Sequence, residues 1–495
     1  MLKRIICALL ASVMITAALA SCANGSESGD ESGTRPQTDT NNEENTLEVL
    51  DIPDTRYNNT ELCFLTRDEG SWSTVEIFAD SNTTSSDNIS YAVFERNDRI
   101  LQKYGVSIKE YAVSDSYTAV TNEVAAPSGD FLAIVSNVSS ATSFATSNYI
   151  WDLNSDQFDY IDLNKSWWDT DMAKNLSVNE MLFFATGDLM TLDNDATFAI
   201  MFNKSLATDS QLPNLYELVD NGQWTMDKLL DFEQRSVQDK NGDGSLSYDS
   251  DICGFAYTQD VAPCLLIAGG ITLCQKDEED IPFYELNIER TQDIADICKQ
   301  IFSAEYTINM NEVSVGVEEA GKKCFGENHA LFFGECLQCV TRVRGYDVDF
   351  GILPFPKFNQ QQDGYHSLMH ATASMVSIPK SVTNDDLLMV ECMLEAMACY
   401  SVDTLTKQYY EINLKTKGAK DVESGPMIDM ILENRACDLA YYYNLGSNNA
   451  FANIASCLLP TNNSSVASEN TRALKSVKNG ITSLLKKLEK YNAAT

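Results

Sequence analysis

The sharpest motif for chemistry in this chain is an acidic loop at residues 239–251, which reads DKNGDGSLSYDSD. Oxygen-bearing residues at positions one, three and five, with Gly244 at position six, match the spacing of a calcium-binding loop. Position twelve departs from that pattern, because Ser250 stands where a bidentate glutamate is expected. The spacing predicts a structural calcium site, and the alternative is a metal-free acidic turn. The predicted ligands are Asp239, Asn241, Asp243, Ser245, Ser247 and Asp251.

Other motifs for catalysis are weak. Cys336 and Cys339 have redox spacing, but a zinc site would need two more ligands nearby, and buried thiols are the simpler interpretation. The chain has three histidines and no nucleophile elbow, zinc-protease helix or phosphate-binding loop. We therefore predict no enzymatic activity. Paired carboxylates among the 72 acidic residues leave a glycoside hydrolase open.

The first 22 residues have the pattern of a lipoprotein signal. Lys3 and Arg4 precede an apolar run, and small residues lead to Cys22. We expect cleavage after residue 21, lipid attachment at Cys22 and a lipid-anchored location on the outer face of the cell membrane. Residues 23–45 contain six acidic residues and almost nothing apolar, so residues 22–50 are expected to form a lipidated, disordered tether.

Charge and composition exclude several classes of partner. The formal net charge is −37, which opposes binding to nucleic acid or anionic lipid headgroups, so contact with the membrane is expected through the lipid anchor only. A hydrophobic content of 44% suffices for a globular body, and no second apolar run is long enough to span a bilayer. Beyond Cys7 and Cys22, twelve cysteines are scattered as singles, which indicates free buried thiols.

The body alternates between strand and helix patterns, which indicates an α/β fold. Strands are predicted at 61–66, 106–108, 131–135 and 198–202. Helical spacing is present at 89–104, 226–232, 385–397 and 474–491, and Gly105 is the expected end of the first of these helices. About 440 residues follow the tether, which predicts two lobes.

Nine short stretches occur in an order that resembles the extracellular sugar-binding lipoproteins of ABC transporters, the branch related to maltodextrin-binding proteins. They are RNDRI at 96–100 with KYGV at 103–106, GDFLAIV at 129–135, WWD at 167–169, FNKSL at 202–206, GQWTMDKL at 222–229, DKNGDG at 239–244, ALF at 330–332, DFGILPFP at 349–356 and SIPK at 377–380. The resemblance covers nearly the whole body. It implies a type II periplasmic-binding-protein-like fold, in which a multi-segment hinge joins two lobes around a ligand cleft.

The same resemblance implies the domain bounds. Residues 51–200 with 357–402 are expected to form lobe 1, and residues 201–356 with 403–495 lobe 2. The crossings are expected near 198–204, 349–356 and 400–406.

Sugars are held by aromatic rings that stack on their apolar faces and by planar polar groups that bond their hydroxyls. Residues of those types at strand ends, near the crossings and in a late helix are the predicted ligand contacts, and simple packing or surface roles are the alternative. They are Trp72, Asn137, Trp168, Asp193, Glu335, Tyr365, Tyr441 and Tyr442.

The sequence thus predicts a monomeric receptor that captures a mono- or oligosaccharide and delivers it to an ABC transporter permease. Two alternatives stay open. One is a surface protein that binds polysaccharide or peptide without a transporter, and the other is a glycoside hydrolase.

Overall fold

The computed structural model describes residues 49–68, 72, 74–80, 88–418, 422–446 and 449–492. Its eleven described strands form two larger sheets and a small hairpin. The strands are β1 Thr60–Arg67, β2 Val106–Val113, β3 Ala133–Asn137, β4 Phe198–Asn203, β5 Cys253–Tyr257, β6 Cys274–Lys276, β7 Pro282–Tyr284, β8 Thr307–Asn309, β9 Ala330–Cys336, β10 Phe350–Leu353 and β11 Ser374–Ser377. The signal, Cys22 and most of the tether lie outside the described residues.

Helices surround both sheets. In chain order they are α1 Asn88–Tyr104, α2 Ser116–Ala125, α3 Val138–Thr146, α4 Thr170–Leu176, α5 Leu192–Asp195, α6 Lys204–Asp209, α7 Leu215–Asp220, α8 Met226–Ser236, α9 Val261–Ala268, α10 Ile288–Ile301, α11 Val317–Gly326, α12 Gln338–Val343, α13 Asn384–Ser401, a π-helical segment Val402–Gly418, α14 Ser424–Glu433, α15 Leu439–Tyr442, α16 Ala450–Ser456 and α17 Val466–Asn492; a short 3-10 turn is Met310–Glu312. In the part of the chain that the structure describes, no helix is long and apolar enough to cross a membrane.

The first sheet has the strand order β11-β3-β1-β2. β1 runs parallel to both β2 and β3, and β11 runs antiparallel to β3. Four of the eight residues of β1 and four of the five residues of β3 are buried, as expected for strands covered by helices on both faces. The carboxyl ends of three parallel strands therefore meet at one edge of this lobe, together with the start of β11.

The second sheet has the order β10-β4-β9-β5-β8. β5 is parallel to β8 and β9, whereas β4 is antiparallel to both β9 and β10. Every residue of β4, β5 and β10 is buried. The carboxyl ends of β5 and β9 lie at one edge of this sheet. Because β4 is antiparallel to β9 and β10, its first residue and the last residue of β10 lie at the same edge.

The predicted elements are present, but the crossings differ in detail. Residues 198–203 already lie inside the second sheet, so the chain crosses just before Phe198. The return crossing runs from the end of β10 at Leu353 to the start of β11 at Ser374, and is longer than expected. The third crossing is the π-helical segment at 402–418, which follows α13 without a break.

The C-terminal helix α17 contacts both lobes. Its Asn470 accepts a hydrogen bond from the Tyr284 hydroxyl of the β6-β7 hairpin, and the Tyr491 hydroxyl donates to the carbonyl of Thr146 in the first lobe.

Two local predictions can be compared with the structure. Helix α1 ends before Gly105, as predicted, and the φ of 68° at Gly105 suits glycine. The twelve described cysteines are free, and nine of them are buried.

Candidate functional site

The facing carboxyl edges of the two sheets bring together aromatic and carboxylate side chains from both lobes. In open α/β sheets, the crevice outside the carboxyl ends of the strands is where ligands bind. From the first lobe come Arg67 at the end of β1, Trp72 beyond it and Asn137 at the end of β3. From the second come Asp260 after β5 and Glu335 near the end of β9. We call this group, with His370 and Tyr441, the strand-edge site.

Trp72 lies against a ring from the return crossing. Its indole stacks on the imidazole of His370 with a centroid distance of 5.7 Å and an interplanar angle of 8°. Arg67 fixes the same crossing, because its guanidinium donates to the carbonyl of Thr372. Burial lowers the pKa of His370 while the Asp260 carboxylate opposes that shift, so the ring is neutral at pH 7. The pair offers a flat aromatic surface without charge.

The second lobe supplies the polar side of the strand-edge site. Burial raises the pKa of the Glu335 carboxyl, and the Asp260 carboxylate adds to the increase. One oxygen of Glu335 accepts the main-chain N–H of Cys336 at 2.9 Å. Burial and the field of Asp260 also raise the pKa of the Tyr441 hydroxyl. Asp260 thus acts electrostatically on three members of the site, Glu335, His370 and Tyr441.

The structure places the other predicted contacts in different roles. Asn137 belongs to the strand-edge site through its place at the end of β3, but its side chain caps α3 by accepting the N–H of Ser140 at 2.8 Å. Tyr365 is 5% exposed and donates to the carbonyl of Val219 within the second lobe. Tyr442 is 1% exposed and donates to the carbonyl of Met369. Both tyrosines pack in the core, Tyr365 in the return crossing and Tyr442 in the late helix from which it was expected to reach the ligand.

Trp168 and Asp193 lie together, but in a separate cavity of about 470 Å³ between the first lobe and α14. Trp168 is 4% exposed, and its indole N–H donates to Glu395, which also accepts from Trp167. Burial raises the pKa of Asp193 to about 6 even though Arg435 opposes the shift. We call this space the hinge cavity, because Asp193, Asn194 and Thr406 from two of the crossings line it.

Sequence reasoning missed Arg67, Asp260 and His370 as members of the strand-edge site. Arg67 is the last residue of β1, and Asp260 follows β5 by three residues. A search for polar residues directly after buried strands would have found both. His370 lies in the return crossing, and nothing local distinguishes it from the two other histidines.

The predicted calcium loop is held by its own hydrogen bonds. Asp239 accepts the N–H groups of Gly242 and Gly244, and Asp251 accepts those of Lys240 and Ser247. Among the described residues, no three His, Cys, Asp or Glu side chains are grouped so that they could hold a metal ion. The carboxylates therefore already have partners in this conformation, and calcium binding stays a prediction.

Calcium is expected to raise the melting temperature of the native protein but not that of Asp243→Asn, because the variant loses a carboxylate ligand. Calcium at ten times its dissociation constant adds about 1.4 kcal/mol to the free energy of unfolding. Differential scanning fluorimetry with calcium, and with magnesium as the control ion, measures the shift. An unchanged native melting temperature in calcium would contradict the prediction.

Comparisons with known proteins give the fold. No family model matches the chain, and no curated protein is significantly similar to it in sequence. Solved structures do match. RafE from Streptococcus pneumoniae, in its apo form, has a TM-score of 0.53 at 13% identity, covering 85% of this chain and 98% of its own. MalE from Bdellovibrio bacteriovorus bound to maltotriose has a TM-score of 0.52 at 13% identity, covering 86% and 100%.

An ABC substrate-binding protein from Listeria monocytogenes in complex with cycloalternan has a TM-score of 0.51 at 11% identity, covering 87% of this chain and 99% of its own. These matches extend over both lobes. The chain therefore has the two-lobe α/β fold of ABC-transporter solute-binding proteins, and the fold expected from the resemblance is confirmed.

Proposed function

We propose that this chain is a binding protein that captures a carbohydrate at the strand-edge site. The observation that carries the proposal is the Trp72–His370 stack, whose imidazole lies in the electrostatic field of Asp260, the same carboxylate that acts on Glu335. An aromatic face suits the apolar side of a sugar ring, and carboxylates suit its hydroxyls. The maltotriose and cycloalternan held by structures of the same fold support this class of ligand.

Delivery to a permease and lipid anchoring are part of the same proposal. Cys22 would hold the protein on the outer face of the cell membrane, and residues 23–45 would tether the body. The loaded, monomeric receptor would then dock on an ABC transporter permease. A ligand that contacts both lobes stabilises one arrangement of them, and that arrangement is what a permease can recognise.

A glycoside hydrolase is the alternative function, because such enzymes use a pair of carboxyl groups like Asp260 and Glu335. Asp260 and Glu335 come from two neighbouring strands of one lobe, and Glu335 is already bound to the main-chain N–H of Cys336. The proteins of similar fold are binding proteins. We therefore propose binding without turnover, which chromatography of the sugar after incubation tests directly.

The deciding experiment is a thermal-shift and calorimetry screen of the lipid-free body, residues 46–495. The probes are maltotriose, raffinose, cellotriose and a tripeptide. A ligand at a hundred times its dissociation constant adds about 2.7 kcal/mol to stability. A shift with one sugar that is recovered intact supports the proposal. A shift with the peptide alone would refute the carbohydrate assignment, and consumption of the sugar would favour the hydrolase.

Trp72→Ala is expected to weaken binding of that sugar by about tenfold to a hundredfold, since losing a stacked aromatic face costs roughly 1.4–2.7 kcal/mol. Isothermal titration calorimetry measures the change. Tyr91→Ala is the matched control, because Tyr91 is an aromatic residue with 52% of its surface exposed on α1. Equal affinities of Trp72→Ala and the native protein would place the ligand elsewhere.

A further inference from the structure

Hydrogen bonds join the two lobes in this conformation, and Trp72 has little free space beside it. The cavity that Trp72 lines measures about 30 Å³ and is formed by first-lobe residues and Leu192, whereas ligand pockets usually measure about 300–1,000 Å³. Across the lobes, the Thr142 hydroxyl donates to the carbonyl of Tyr442, and the Tyr491 hydroxyl donates to the carbonyl of Thr146. A cavity of this size has no room for a sugar ring, so the site must widen before a carbohydrate can stack on Trp72, and separation of the lobes is the motion that a two-lobe fold offers.

One buried ion-pair cluster links the segments that must move during that separation. Arg435 follows α14, and its guanidinium pairs with Asp169 of the first lobe at 2.7 Å and with Asp193 at 3.1 Å. Asp193 lies just before β4, at the entry to the second lobe. The side chains of Arg435, Asp169 and Asp193 are 9%, 12% and 2% exposed, so water does not compete well for these contacts.

The main chain around Arg435 is hydrogen-bonded to the return crossing. Arg435 and Ser367 form a parallel bridge, in which the N–H of Ser367 donates to the carbonyl of Asn434 and the N–H of Ala436 donates to that of Ser367. Arg435 therefore joins the first lobe, the entry to the second lobe and the return crossing. The hinge cavity of about 470 Å³ is lined by Arg435 together with Asp169 and Asp193.

We propose that Arg435 is a latch: its ion pair with Asp169 holds the lobes in the occluded arrangement, and its release is a step of ligand capture. This inference rests on the proposed function for its biological meaning, but the arrangement of the lobes can be measured without any ligand. A directional pair of charges resists separation more than the neutral hydrogen bonds nearby. It also re-forms when the lobes return, which makes the arrangement bistable.

The test compares the ligand-free protein with two latch variants. Asp169→Asn keeps the oxygen that accepts the N–H of Met172 at the start of α4, and removes the charge opposite Arg435. Arg435→Met removes both pairs. Glu318→Gln is the matched control, because its partners, Lys322 of α11 and Arg342 of α12, both lie in the second lobe.

Small-angle X-ray scattering is expected to give both latch variants a larger radius of gyration than the native protein, with Glu318→Gln unchanged. The expected shift in the ratio of open to occluded molecules is about tenfold or more. Cooperative thermal unfolding shows which variants are folded. If Arg435→Met does not fold, Asp169→Asn decides the question. A folded Asp169→Asn whose scattering equals that of the native protein would overturn the latch, whatever the sugar screen shows.

Discussion

Arg96→Met is expected to lower the free energy of unfolding by about 3–5 kcal/mol, because it leaves several buried acceptors without a donor. Arg96 is 0% exposed. Its guanidinium donates to the carbonyls of Glu76, Ile77 and Leu189 at 2.8–3.1 Å and to the hydroxyl of Ser401 at 3.3 Å. Methionine fills much of the same volume but offers no hydrogen bond.

The position of Arg96 explains why so many groups depend on it. It joins α1 to the segment at 76–77, to the chain just before α5, and to the end of α13. Burial lowers its pKa to about 9 while the Glu76 carboxylate opposes the shift, so the side chain stays charged at pH 7. The buried main-chain carbonyls around Arg96 need hydrogen-bond donors, because a buried carbonyl without a partner lowers the stability of the fold. The guanidinium of Arg96 supplies those donors.

Urea denaturation followed by circular dichroism measures the effect. Arg99→Met is the matched control, since Arg99 lies on the same helix and its ion pairs with Glu95 and Asp403 are largely exposed. Pairs of that kind contribute about 0–1 kcal/mol. If Arg96→Met cost no more than Arg99→Met, the buried hydrogen bonds would not be the reason for keeping an arginine there.

Local patterns predicted most of the secondary structure. The apolar run at 198–202 is strand β4, the 3.6-residue spacing before Gly105 is α1, and the stripe at 474–491 is part of α17. These features depend on neighbours within a few positions in the sequence, so hydrophobic periodicity and breaker residues suffice to find them. The fold class followed from their alternation and order.

The site needed information that no local pattern carries. Asp193 lies 242 residues from Arg435, which binds its carboxylate. Trp168 donates to Glu395 of α13, so an indole chosen as a stacking surface has a buried carboxylate for its partner. Tyr441 and Tyr442 are adjacent in sequence, yet only Tyr441 belongs to the strand-edge site, because Tyr442 points its hydroxyl at Met369 in the core. The residue type indicates which contacts a side chain can make, but the tertiary packing decides which of those contacts it makes.

Five carboxyl groups, four of them buried and Asp188 half-buried, lead to the second large prediction: stability is expected to fall as the pH rises from 5 to 8. Burial raises the pKa of Asp188, Asp195 and Glu395 to about 7, and that of Asp193 and Asp438 to about 6. In the unfolded chain such groups titrate near pH 4. Between about pH 4 and 7 the native state therefore binds more protons than the unfolded state, and stability decreases as the pH rises.

Carboxyl groups whose pKa is lowered in the native state change stability in the opposite direction, because they lose their stabilising contacts as the pH falls. Hydrogen bonds from Ser245 lower the pKa of Asp243, and the ammonium of Lys322 lowers that of Glu318. Their stabilising contributions are present above pH 4 and are lost below it. The raised carboxyl groups therefore lower stability towards higher pH, whereas Asp243 and Glu318 lower it towards acid pH.

Urea denaturation at pH 5 and pH 8 tests this directly, and each unit of net pKa shift that survives corresponds to about 1.4 kcal/mol. Asp188→Asn is expected to reduce the loss between the two pH values, since asparagine keeps an oxygen for the Thr406 hydroxyl and cannot ionise. Asp98→Asn, at an exposed carboxylate of α1, is the control and should keep the native pH dependence. Equal stability of the native protein at both pH values would mean that water reaches these carboxylates.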